Sequence, residues 1–197
     1  MFQKTIFTTL LSMATTLNAK DFCKDLKSES DWLLKDSKVF SKLVGKWKGK
    51  WFRYDNQGTP TPYIINETEY DFKTSLLTQS LDAKTNLFHQ INYYPQDDSQ
   101  RRFVGRVVAP GKVEYTNCAG GGFGEGTIFD ASASEYGDFH IFYSMRHKKT
   151  NIVVYTEDIS LTTPNERTRI GRRYDAKTGL LVGITYIVEQ RVEEKIK

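Results

Sequence analysis

From Lys46 onward apolar residues recur at every second position, and a chain patterned that way has few folds open to it. Lys46-Trp47-Lys48-Gly49-Lys50-Trp51 alternates strictly, which sets both tryptophans on one face of a strand and the lysines on the other. Comparable runs centre on 64–72, 76–81, 87–94, 103–108, 113–116, 127–129, 139–145, 152–161, 167–174 and 181–188. Turn residues separate most of them, among them Pro95-Gln96-Asp97-Asp98, Pro110-Gly111, Gly137-Asp138 and Thr163-Pro164-Asn165. About ten short strands joined in this way predict an all-β sandwich or barrel. No long helical stretch lies between them, which excludes βαβ units. Short connections favour pairing between neighbours, and closure removes exposed edges. The expected architecture is therefore a closed antiparallel up-and-down β-barrel of about ten strands over residues 45–197.

Before the barrel the period is helical. Ser28 and Asp31 fit a capping box, and Trp32, Leu33, Phe40 and Leu43 follow at helical spacing, with Asp36-Ser37 as a break and Gly45 as the stop. Residues 20–44 thus read as an arm with a short helix. Residues 1–19 have the shape of a secretory signal peptide: Lys4, an uncharged moderately apolar stretch, and a small-residue end at Ala19. The expectation is a secreted or periplasmic chain, with organelle targeting as the alternative. No later segment is long and apolar enough to span a bilayer. Cys23 and Cys118 follow the leader; the sequence allows either one disulfide or two free thiols.

Charge narrows the function classes. The 28 basic and 24 acidic residues are intermixed, so no basic stripe suggests nucleic-acid binding. The three histidines and two cysteines show no metal-ligand spacing, and no nucleophile elbow is present, so neither a metal, a cofactor nor catalytic residues are expected. Gly120-Gly121-Gly122-Phe123-Gly124-Glu125-Gly126 lacks the lysine and helix of a phosphate loop and reads as a mobile loop at a barrel mouth.

An aromatic content of 13% supplies rings for an interior. Alternation nominates Trp51, Phe103, Tyr115, Tyr143 and Tyr186 as cavity-lining residues. Arg172 joins them as an anchor for an anionic head if Ile170 and Tyr174 face inward; the opposite phase makes it part of an outward basic strand. The pairs Glu67/Glu69 and Glu157/Asp158 read as solvated carboxylates. Trp47, at the junction of helix and first strand, and Arg191, just past the last strand, are assigned to closing the barrel bottom, the indole packed under the guanidinium.

The segment Leu43-Val44-Gly45-Lys46-Trp47-Lys48-Gly49-Lys50-Trp51-Phe52-Arg53, with Gly58 after it, resembles the opening of a cyanobacterial and plant family of uncharacterised lipocalin-like proteins. That family is similar to the calycins and, distantly, to phycobilin lyases. His89-Gln90-Ile91-Asn92-Tyr93-Tyr94-Pro95, the glycine-rich run and Ile187-Val188-Glu189-Gln190-Arg191 are similar too. The resemblance implies a closed lipocalin-like barrel with an internal cavity and carries over no catalytic residue. Three functions compete: binding or carriage of a small hydrophobic molecule, a bilin-lyase-like activity, and an extracellular interaction protein with a packed barrel.

Overall fold

Ten strands close into one antiparallel barrel in the computed structural model, which describes residues 20–28 and 30–193. The chain enters through a 3-10 turn, Leu34–Asp36, and one turn of helix, α1 (Phe40–Leu43). The strands are β1 (Gly45–Tyr54), β2 (Tyr63–Ile65), β3 (Thr68–Tyr70), β4 (Lys73–Asp82), β5 (Leu87–Tyr94), β6 (Ser99–Ala109), β7 (Lys112–Asn117), β8 (Phe129–Tyr136), β9 (His140–His147), β10 (Val153–Thr163), β11 (Glu166–Tyr174) and β12 (Leu181–Arg191). From β4 to β12 each strand pairs with the next, and β1 closes the wall between β4 and β12.

Two expected elements differ. The run 64–72 is not a barrel strand but the separate β2–β3 hairpin. Asn66 and Glu67 at its tip have φ of 48° and 64°, a left-handed pair that reverses the chain where alternation alone suggests continuation. The run at 127–129 underestimates β8, whose inward residues are Ala131 and Ala133. Small side chains are needed there because Tyr115 and Tyr143 stand directly opposite them on the flanking strands.

The capping box at Ser28 is also corrected. Ser28 donates instead to the carbonyl of Val107 at 3.3 Å. The helical turn begins after Ser37, whose Oγ accepts from Phe40 N at 2.7 Å. Glu135 of β8 accepts from the amides of Val39 and Phe40 at 2.9 and 3.0 Å, so a barrel strand supplies the cap.

This turn plugs one end of the barrel. Leu34, Phe40 and Leu43 pack with Trp47, Leu77, Phe88, Val107, Val113, Ile141 and Leu161 into the main core. Trp47 Nε1 donates to Leu43 O at 2.8 Å, tying the plug to β1. Arg191 lies 4.3 Å from the Trp47 ring centre and donates to the carbonyls of Val44 and Lys42 at 2.5 and 2.7 Å. Gly45 is required there: its φ is +130°, and a Cβ would sit 2.5 Å from Arg191 Nη1.

The other end is dressed by loops. Cys23 and Cys118 form a disulfide that fastens the N-terminal arm to the end of β7. The Phe22 ring beside it is clasped by Gly120 and Gly126, where a Cβ would meet it at 2.5 and 2.7 Å. No helix among the described residues is long and apolar enough to cross a membrane. Residues 1–19, where the sequence suggests a signal peptide, lie outside the described residues.

Candidate ligand-binding site

Above the plugged core the interior changes character. Phe88, Tyr115, Tyr143 and Tyr155 form a chain of edge-on contacts 5.8–6.3 Å apart, leading from the core towards the open end. Two glycines make room for these rings: a Cβ on Gly105 would lie 3.3 Å from Tyr115, and one on Gly171 would lie 2.3 Å from the Tyr155 hydroxyl. Beyond them a cavity of about 190 Å³ opens, walled by Trp51, Tyr94, Phe103, Tyr115, Tyr143 and Tyr155. Phe123 covers it, stacked on Phe103 at 5.5 Å and edge-on to Tyr143 at 6.2 Å. The glycine-rich loop thus carries a ring into the mouth, with Gly121, Gly122 and Gly124 on either side at positive φ. Wider hollows lie elsewhere: a 430 Å³ groove is lined largely by charged side chains, of which Arg106 pairs with Glu114 at 2.9 Å, and a more apolar recess of 420 Å³ lies by Phe139, Leu161, Pro164 and Arg191 at the plugged end.

Four charges are buried beside this cavity. Arg169 donates to both carboxylate oxygens of Glu157 at 2.6 and 2.9 Å and to Glu189 at 3.3 Å. Arg167 pairs with Glu189 and donates to Gln79 at 2.7 Å. Two cations and two anions cancel, which is what a buried cluster requires. Burial would push the Glu189 carboxyl up, but Arg167 and Arg169 hold it below its ordinary value. Burial would likewise lower Arg169, and Glu157 and Glu189 raise it well above the ordinary value instead. Arg167 Nη2 is the one buried side-chain polar atom among the described residues with neither accessible surface nor a partner. Its guanidinium lies 4.1 Å from the Trp47 ring centre, so the ring face takes the place of an acceptor.

The sequence-nominated residues divide cleanly. Trp51, Phe103, Tyr115 and Tyr143 come together around the cavity. Arg172 and Tyr186 do not. Arg172 points outward and pairs with Asp158, which also meets His140 at 3.2 Å; Tyr186 is 36% exposed, opposite Phe52 and Ile170. The inward arginines of β11 are Arg167 and Arg169, and Glu157 is an interior carboxylate rather than a solvated one. The signal was present in the assignment of Arg191. If Arg191 faces inward, so must Glu189 and Ile187, two and four residues back, which turns Tyr186 out. Pairing of β11 with β12 then sets Arg167 against Glu189 and Arg169 against Ile187, on the inner face. Arg191 and Tyr186 cannot both face inward.

Burial pushes the phenols of Tyr115, Tyr143 and Tyr155 above their ordinary value, so they are neutral donors at physiological pH. Tyr63, from the hairpin, is raised to about 12, chiefly by burial.

Fold and cavity together define a small closed β-barrel, plugged at one end and hollow towards the other. The chain belongs to the family described as Domain of unknown function (DUF3598), N-terminal, whose model matches residues 35–194. Among solved structures it is similar to a DUF3598-family protein of unknown function from Nostoc punctiforme, with 17% identity and a TM-score of 0.54. That match covers 78% of this chain and 49% of the other, so the chain spans about half the length of this relative. It is also similar to an S-type phycobiliprotein lyase from Guillardia theta, with 12% identity, a TM-score of 0.49, and coverage of 79% and 92%. No curated protein matches it.

Proposed function

We propose that the barrel binds a small, largely apolar molecule in the cavity at its open end. One observation carries this reading: a hollow of about 190 Å³ walled by aromatic rings, in an interior that would otherwise close-pack. A dry cavity of about 150 Å³ takes up benzene, so the space suits a ligand of one or two rings. It is below the roughly 300–1,000 Å³ typical of drug-sized sites, which weighs against a four-ring bilin and so against the lyase alternative. A hollow of this size weighs equally against a fully packed barrel. We further infer export to an oxidising compartment, supported by the Cys23–Cys118 bridge. N-terminal sequencing of the mature protein tests it, a retained residue 1–19 segment being the contrary result.

Native mass spectrometry of the purified chain tests the binding function, with a retained small-molecule mass as the expected result. Trp51 stands in the cavity wall, so tryptophan fluorescence then reports titrations with simple aromatics, fatty acids, retinoids and tetrapyrroles. Absence of both a retained mass and any saturable response across that panel refutes the proposal.

A further inference from the structure

The cavity is uneven in its hydrogen-bonding groups. Its acceptors are engaged: both Glu157 oxygens by Arg169, Asn92 Oδ1 by Gln90 at 2.9 Å, and Gln90 Oε1 by Gln79 at 2.8 Å. Its donors are not. The hydroxyls of Tyr115, Tyr143 and Tyr155 make no hydrogen bond with the described residues, yet none is sealed from accessible surface as Arg167 Nη2 is. All three side chains line the hollow, the Tyr155 hydroxyl lying against Gly171 in its wall. At the mouth, Arg101 of β6 lines the same space, and its guanidinium makes no ion pair or hydrogen bond with the described residues. No carboxylate in the lining is left uncommitted, so a cationic ligand finds no counter-ion there, while an anionic one finds Arg101.

Resting on the reading that this cavity is a ligand site, the geometry points to its ligand class: an aromatic acid of one or two rings, its carboxylate at Arg101 and its ring among Phe103, Phe123 and Tyr143. Oxygen substituents on the ring, carbonyl or hydroxyl, accept from the tyrosines. The size follows from the volume, the ring from the edge-on and stacked walls, and the charge from the single uncommitted ion. Arg101 replaces Arg172 as the anchor because β6, unlike β11, brings an arginine to the mouth with no carboxylate paired to it among the described residues. A guanidinium–carboxylate contact is charge-assisted and orients a planar acid edge-on.

The test uses the full chain and three probes of one shape: 2-naphthoate, 2-naphthalenemethanol and naphthalene, titrated by calorimetry at low and high salt. The expected order is naphthoate first, by about tenfold over the alcohol, with affinity falling as salt screens Arg101. Arg101→Gln abolishes that advantage and leaves naphthalene unchanged. Tyr143→Phe, which removes a hydroxyl without a partner among the described residues, weakens the alcohol about three- to tenfold and spares naphthalene. If the alcohol binds as tightly as the acid, or Arg101→Gln leaves naphthoate unaffected, the ligand class is wrong while the cavity remains a ligand site. If no probe binds either the native chain or a Phe123→Ala variant with its mouth uncovered, the ligand-site reading falls with it.

Discussion

Arg169→Met takes away the cation that allows Glu157 to be ionised inside the barrel. The two side chains are only 7% and 6% exposed, and both Glu157 oxygens accept from the same guanidinium. With charge centres about 4 Å apart and an effective dielectric of about 20, their attraction is about 4 kcal/mol. Glu189 keeps Arg167 after the change, but Glu157 has no second cation in ion-pair contact among the described residues, so a poorly compensated charge is left in the wall. Breaking one partner of such a pair costs about 3–5 kcal/mol. Methionine keeps most of the arginine stem, so little packing is lost. For a chain of this length that corresponds to a fall in Tm of roughly 6–20 °C. Adding Glu157→Leu removes the stranded carboxylate, and the double variant recovers to within about 2 kcal/mol of the native chain, since apolar replacement of a whole buried pair is close to neutral. Urea unfolding and calorimetry on the native chain, both single variants and the double variant give the cycle. A single variant within about 1 kcal/mol of native refutes burial of the pair. A double variant as damaged as Arg169→Met refutes the stranded-charge account.

Other perturbations follow from the same geometry. The bridge closes a loop with a sequence separation of 95, so Cys23→Ser with Cys118→Ser lowers unfolding free energy by up to about 4.7 kcal/mol in the chain-entropy model; an unchanged urea midpoint contradicts this. Phe123→Ala uncovers the cavity and raises the dissociation rate of a bound aromatic in stopped-flow fluorescence by more than it raises the association rate, and an unaltered rate removes Phe123 as a cover. Towards acid, Glu189 and Asp97 are among the carboxylates that set the pH dependence. Both are held below their unfolded values, Asp97 at about 2 through Lys73 and Ser99, so their contribution is present above about pH 4.5 and is lost as pH falls through the folded values. Towards alkali the sign is opposite: Tyr115, Tyr143 and Tyr155 are raised by burial, so stability is full below pH 10 and declines above it. The phenolate absorbance of these rings then rises together with unfolding, and their titration in the intact fold near pH 10 contradicts their burial.

Alternation from Trp47 and short turns determined the barrel, because a period of two with close connections permits little besides neighbour pairing and closure. The same logic reached Trp47, Arg191 and four of the cavity rings. Sequence pattern stopped where a residue's face depends on a strand elsewhere. The phase of β11 follows from its pairing with β12, and a slip of one residue exchanges Arg169 for Arg172. Nothing local distinguishes Glu157, buried against Arg169, from Asp158 beside it, on the outside against Arg172. The β2–β3 hairpin hinged on two left-handed residues that carry no glycine to announce them. Phe123 reaches the mouth on a glycine loop held by the disulfide-tied arm, through Phe22, and by bonds from Lys148 and Thr127 to Gly124, contacts that local spacing does not announce. Local spacing sets which way a side chain can point relative to its neighbours; only the closed wall decides which of the two faces is dry, and so which charges must find one another inside it.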